Sequence, residues 1–240
     1  MRCDRSDHGR GAAAAARRVT MGALSAVVFD FDGTIFDSET PIYRASAAAL
    51  AEMGLELTIA GWATVVGHGE DDSYRAMCAA VGTEFDRDGF EARYAAQDRS
   101  WRDTIPVLPG VEKLLEELAD ASVPCAIASS SPTAWVDHHL DRLGLAHHFR
   151  VVASRDSVGG RAKPDPASYL HAIAQLGADP ARSIAIEDSA PGIAAAVAAG
   201  LTVVAIPSEI TQHTDLSSAH HTVTSMADLS LATLAAFVPG

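Results

Sequence analysis

The chain has 240 residues, nearly half of them hydrophobic and a fifth charged, which suits one large globular domain or a core with a modest insert. Its formal net charge of -13 argues against a nucleic-acid-binding face, since the only basic cluster is Arg17-Arg18, and no apolar stretch is long enough to span a bilayer. Cys3, Cys78 and Cys125 form no CxxC pair, so the composition fits a reducing, cytoplasmic setting rather than a disulfide-stapled one.

In chain order, residues 1–22 read as a disordered, alanine-rich tail, too short in its apolar part for a secretory signal. Met21 is an alternative start. Residues 23 to 31 read as a buried strand that ends in Asp30-Phe31-Asp32-Gly33-Thr34. From Ser38 to about Pro106 the pattern is helical. Helices are expected over Ile42–Gly54, near Ala60–Val66, over Tyr74–Val81 and over Phe90–Trp101. Trp62 and Trp101 read as packing residues of this segment, and His68 as a surface histidine.

Beyond it, strands and helices alternate. Apolar runs at Val123–Ala128, Phe149–Ala153, Ser183–Ile186 and Leu201–Ile206 each end in polar residues. Between them lie helices over Val111–Leu118, Trp135–Leu143, Ala167–Leu176 and Pro191–Ala199. Gly144, Gly177 and Gly200 mark the stops of the last three. The expectation is a Rossmann-like, doubly wound parallel α/β sheet. Residues 23–37 and 107–240 form its core and residues 38–106 a helical cap. In such sheets ligands bind at the carboxyl ends of the strands, where all the polar clusters fall.

The chemistry is read from those clusters. Asp30 and Asp32 stand two apart at a strand end. Asp30 is placed to attack, and Asp32 to act beside it as acid and base. Two adjacent carboxylates call for a cation, and Mg²⁺ suits hard oxygen ligands and phosphate. Asp188, with Glu187, brings further carboxylates from another strand end. The Ser129 hydroxyl, just before a helix, is placed to hold a phosphoryl oxygen, and Lys163 supplies positive charge. Gly33, Thr34 and Ser130 are assigned with them to phosphate binding. The neighbouring pairs His138-His139 and His147-His148 lack the spacing of metal ligands on one helical face. Asp37 is read as support for the first turn.

The run Asp30-Phe-Asp-Gly-Thr-Ile-Phe-Asp-Ser-Glu39 resembles the first signature of the haloacid dehalogenase (HAD) superfamily. Ser129, Lys163-Pro164-Asp165-Pro166 and Glu187-Asp188-Ser189-Ala-Pro-Gly192 resemble its second, third and fourth, in order. The helical insert resembles the cap of the β-phosphoglucomutase-like phosphatase branch. The resemblance implies an aspartyl-phosphate on Asp30, with Asp32 protonating the leaving group and then activating water. It implies Mg²⁺ ligands from Asp30, the backbone carbonyl of Asp32, and Asp188, with Glu187 a ligand or a support for one. The expected activity is Mg²⁺-dependent hydrolysis of a small phosphorylated metabolite by a monomer or homodimer. The mutase relatives carry a cap histidine and arginine where this chain reads Thr40-Pro41-Ile42-Tyr43-Arg44 and Gly67-His68-Gly69-Glu70, which favours hydrolysis over a sugar-phosphate mutase. A phospho-accepting receiver, or a non-catalytic binding domain on the same fold, is the rival of another class.

Overall fold

The computed structural model describes residues 24–68 and 70–239. The expected tail, including Cys3, Arg17-Arg18 and Met21, lies outside them.

Six parallel strands form one sheet in the order β3-β2-β1-β4-β5-β6. They are β1 (Ala26–Phe29), β2 (Cys125–Ala128), β3 (Phe149–Ala153), β4 (Ser183–Glu187), β5 (Thr202–Ala205) and β6 (His221–Thr222). β1 is central, pairing Val27 with Cys125 on one side and with Ile184 on the other. β1, β2 and β4 are buried throughout, which is why they read as unbroken apolar runs. β1 is shorter than the expected 23–31, because after Phe29 the chain leaves the ladder for the turn that holds Asp30 and Asp32.

Helices α5 (Val111–Asp120), α6 (Thr133–Leu143), α7 (Ala167–Leu176) and α8 (Ala190–Ala198) connect the core strands. α5 buries Val111, Leu114, Leu115 and Leu118, the stripe legible in the sequence. One sheet face packs Phe29, Ile127 and Ile184 against α5 and α6 residues, and the other packs Val28, Ala126 and Ala185 against Tyr169, Ile193 and Ala196. β6 and the final helix α9 (Leu231–Phe237) were not expected from the sequence.

The segment after β1 folds as α1 (Glu39–Ala51), α2 (Ile59–Ala63), α3 (Glu70–Val81) and α4 (Arg87–Ala96), then a 3₁₀ turn at Ser100–Asp103. These helices surround their own apolar cluster, which includes Leu50, Trp62, Val66, Met77 and Phe90 and is met by Ile210 from beyond β5. The helix expected to run from Phe90 to Trp101 is interrupted. Gln97 is extended, and Asp98 accepts hydrogen bonds from the Ser100 amide (2.9 Å) and hydroxyl (3.0 Å), starting a new turn. Among the described residues no helix is long and apolar enough to cross a membrane. Cys78 and Cys125 are free thiols, and Cys125 is buried.

Candidate active site

β1 delivers Asp30 to the carboxyl edge of the sheet, where its amide still donates to the Ile186 carbonyl of β4 at 2.9 Å. The chain then turns sharply. The Ile35 amide donates to Phe31 O at 2.9 Å, and the Gly33 amide to Phe36 O at 3.0 Å. Gly33 has φ +82°, and a side chain there would run into the carboxylate of Asp188. The glycine therefore does two things. It makes the turn, and it lets the carboxylate of Asp188, just past β4, close on that turn.

A cleft of about 330 Å³ opens here, lined among others by Asp30, Asp32, Ser129, Ser130, Lys163 and Asp188. Residues far apart in the chain, Asp30 and Asp188 among them, thus meet in one place. Lys163 is 2 % exposed, and its ammonium donates to Asp30 Oδ1 and, at 2.6 Å, to Glu187 Oε1. Burial alone works against that charge. The pull of Asp30 and Glu187 more than reverses it, so its pKa lies above the ordinary lysine value. Burial drives the Asp30 carboxyl upward, and Lys163 only partly opposes this.

Glu187 is fully buried and spent on protein donors. Oε1 also accepts from the Tyr169 hydroxyl at 2.7 Å, while Oε2 accepts from the amides of Asp188 (3.1 Å) and Ser189 (3.3 Å) and from the Ser189 hydroxyl (3.2 Å). It does not line the cleft. One of its oxygens lies within 4.8 Å of oxygens of Asp30 and Asp188, so the three carboxylates form a group that could hold a metal ion, and its five donors also make it the residue that fixes Lys163. Asp188 is the reverse case. It is 1 % exposed, its Oδ2 has no hydrogen-bond partner, and burial together with the negative Asp30 and Glu187 pushes its pKa well up. A buried, unpartnered carboxylate oxygen beside other carboxylates is costly alone and suits a hard divalent cation.

Asp32 is clamped. Its Oδ1 accepts from the Ser38 hydroxyl (3.0 Å) and the Trp135 indole N–H (2.9 Å), and its Oδ2 from the Ser131 hydroxyl (2.6 Å). Ser129 Oγ accepts from the Ser131 amide at 2.9 Å, so the loop after β2 is folded on itself at the cleft wall. Ser130 Oγ accepts from the Lys163 amide (3.1 Å) and donates to Gly67 O (3.4 Å), which joins that loop to the segment before α3.

Gly33 and Thr34, assigned to phosphate binding, line a smaller neighbouring cavity with Asp37 and Leu108, and Gly33 at the same time lies directly against the cleft-lining Asp188 carboxylate. Asp37 Oδ1 accepts from the Thr40 amide (3.0 Å) at the start of α1. His68, expected on the surface, is half-buried and lines the cleft. The side chain of Glu70 lies outside the described residues. Glu39, Arg102, Ser131 and Trp135 also line the cleft and were not singled out from the sequence. Glu39 is 8 % exposed, and burial, reinforced by the charge of Asp32, pushes its pKa up to about 8. Its place in the first signature, and the Ser129–Ser131 run, were the available signals.

Fold and cleft together define a class of α/β hydrolase whose acidic strand ends surround one buried lysine. Residues 27–206 match the family model for haloacid dehalogenase-like hydrolases, and the chain belongs to that family. It is 32 % identical to the YhcW protein of Bacillus subtilis (strain 168) over 88 % of this chain and 96 % of that one. It is 31 % identical to a phosphoglycolate phosphatase of Yersinia pseudotuberculosis serotype I (strain IP32953), over 76 % and 80 %. A solved HAD family hydrolase from Deinococcus radiodurans R1, with bound phosphate and sodium, superposes with a TM-score of 0.69 at 28 % identity, covering 91 % of this chain and 99 % of that one. The chain is an enzyme of the phosphoric monoester hydrolase type.

Proposed function

We propose that this enzyme is a Mg²⁺-dependent phosphatase that hydrolyses a small phosphorylated metabolite through a covalent phosphate on Asp30. The observation that carries the reading is the buried Lys163, held between Asp30 and Glu187 while Asp188 turns an unpartnered oxygen into the same acidic pocket. Asp30, the Asp32 carbonyl and Asp188 would hold Mg²⁺, which when bound offsets their charge and that of the phosphoryl oxygens. The excess of carboxylates over cations in this pocket supports that assignment. The names of the Yersinia and Deinococcus relatives support phosphate as the transferred group.

In the proposed reaction an Asp30 oxygen attacks phosphorus. The phosphorus–ester oxygen bond breaks, its electron pair stays on that oxygen, and the oxygen takes a proton from Asp32 to leave as an alcohol. Water then attacks the phosphorus of the aspartyl-phosphate and gives its proton to Asp32. The bond to Asp30 breaks, freeing inorganic phosphate and restoring both carboxyl groups. Lys163 holds Asp30 in place and screens the incoming phosphoryl charge, and the Ser129 hydroxyl is placed to hold a phosphoryl oxygen. Residues 38–106 act as a cap over the core formed by residues 24–37 and 107–239, supplying Glu39, Ile42, His68 and Arg102 to the cleft and excluding bulk water on closing.

The test is phosphate release from a panel of sugar phosphates, nucleotides and glycolate-type esters with Mg²⁺. Asp30→Asn is expected to abolish release, and chelation of the metal to do the same. Full activity in Asp30→Asn removes the nucleophile assignment. Turnover that isomerises a sugar phosphate without freeing phosphate replaces hydrolysis by mutase activity.

A further inference from the structure

Trp135 lies in the first turn of α6, where an indole would ordinarily serve only as packing. It does pack. Its ring meets His139 edge-on with centroids 4.1 Å apart, lies 6.5 Å from Phe36 and 6.4 Å from Trp101, and carries the Arg102 guanidinium 5.3 Å from its centroid. These neighbours leave the ring little freedom to rotate, so the direction of its N–H is fixed by the cluster. That N–H is spent on Asp32 Oδ1 at 2.9 Å.

The two kinds of donor around Asp32 differ in what they permit. A serine hydroxyl donates or accepts, as its rotor allows, whereas an indole N–H only donates. The oxygen facing Trp135 is therefore held as an acceptor throughout. The other oxygen, Oδ2, faces the Ser131 hydroxyl at 2.6 Å, a partner that serves it with or without a proton. We propose that Trp135 is a positioning residue for the acid–base step: its N–H, with the Ser38 hydroxyl, ties down Asp32 Oδ1 and so assigns Oδ2, beside Ser131, as the oxygen that passes the proton to the leaving group. This rests on the reading of Asp32 as the general acid.

The experiment compares two esters that differ in their need for that proton. p-Nitrophenyl phosphate expels a stable phenolate without help, while a simple alkyl phosphate needs its leaving oxygen protonated. The quantity read is kcat/KM, which reports the steps through departure of the leaving group. Trp135→Phe keeps an aromatic ring in the cluster and removes the N–H. The alkyl-to-aryl ratio of kcat/KM is expected to fall about tenfold or more, a fraction of the 10²–10⁴-fold that a well-placed acid supplies. Replacement of Trp135 by 3-benzothienylalanine, which keeps the bicyclic shape and puts sulfur where the N–H was, gives the same reading if the phenylalanine variant does not fold. Equal losses for the two esters in both variants make Trp135 a packing residue and overturn the proposal, as does an unchanged ratio. Undiminished activity in Asp30→Asn is a separate failure: it removes the reaction scheme itself, and the inference with it.

Discussion

The sheet edge and the helical segment 39–103 treat charge in opposite ways. At the edge, Lys163, Glu187 and Asp188 are all at most 2 % exposed, and Lys163 and Glu187 are joined by direct contacts. In the helical segment the ion pairs face water: Arg75 with Asp72, and Arg87 with Asp71 and Glu91. What holds those helices is the apolar cluster of Leu50, Trp62, Val66, Met77 and Phe90. Burying a charge is costly and is tolerated where the group has partners in place. A chain that places its buried ions at one sheet edge, and keeps ionic contacts elsewhere at the surface, separates the groups suited to chemistry from those that shape and cover the site.

Lys163→Met challenges that contrast most severely. Removing the ammonium leaves Asp30 and Glu187 buried without their shared partner. The variant is expected to lose phosphate release and about 3–5 kcal/mol of stability, the usual cost of breaking one side of a buried pair, as read by urea unfolding. A variant that kept its stability would mean that the two carboxyls simply take up protons when the lysine is gone. The sheet edge would then bear no more electrostatic stress than the helical segment does.

Glu39 stands at the boundary between the two regions. It opens α1, yet it is buried at the cleft and keeps its proton up to about pH 8, against an ordinary value of 4.5. Between those values the folded chain binds more protons than the unfolded one, so stability falls as pH rises. The contribution is full below about pH 4.5 and lost as pH passes through about 8. For metal-free protein the stability read from urea unfolding is expected to drop between pH 5 and pH 8. The drop amounts to a few kcal/mol, at ~1.4 kcal/mol for each tenfold change in proton affinity. Asp188, raised in the same direction, adds to the fall. Glu39→Gln cannot ionise there and is expected to flatten the slope. An identical slope in the variant would place Glu39 with the solvated acids of the helical segment.

Much of this was legible in the sequence, for a physical reason. β1, β2 and β4, buried throughout, read as apolar runs, β3 and β5 carried enough apolar residues to stand out as well, and polar residues at the strand ends marked Asp30, Asp32, Ser129 and Asp188. Lys163 was marked by the prolines around its loop. β6 was hidden because it has only two residues and neither is buried. The break after α4 depends on Asp98 bonding forward to Ser100, which helical periodicity does not report. That Gly33 and Thr34 also line a second cavity was not legible, since the direction in which a turn exits is decided by the packing around it. Trp135 was concealed by its own apolar character. It occupies a core-facing helical position, and only the structure shows that one polar atom of the ring reaches Asp32. Glu187 reads from the sequence as a metal ligand or a support for one, and the five donors that its two oxygens take up are not legible there.

The smallest effect is expected from Arg75→Ala. Arg75 and Asp72 stand three apart on α3 with Nη1 and Oδ1 3.1 Å apart, a separation comparable to the core pair of Lys163 and Glu187 at 2.6 Å. Distance alone would give the two pairs similar weight. Their surroundings differ, because the Arg75 and Asp72 side chains are 78 % and 57 % exposed, and water screens each charge whether or not the other is present. Losing Arg75 therefore leaves Asp72 solvated rather than stranded. The urea midpoint and the rate of phosphate release should both match the parent protein within error. A midpoint shift approaching that of Lys163→Met would show that surface charge, and not the cluster around Phe90, holds the helical segment together.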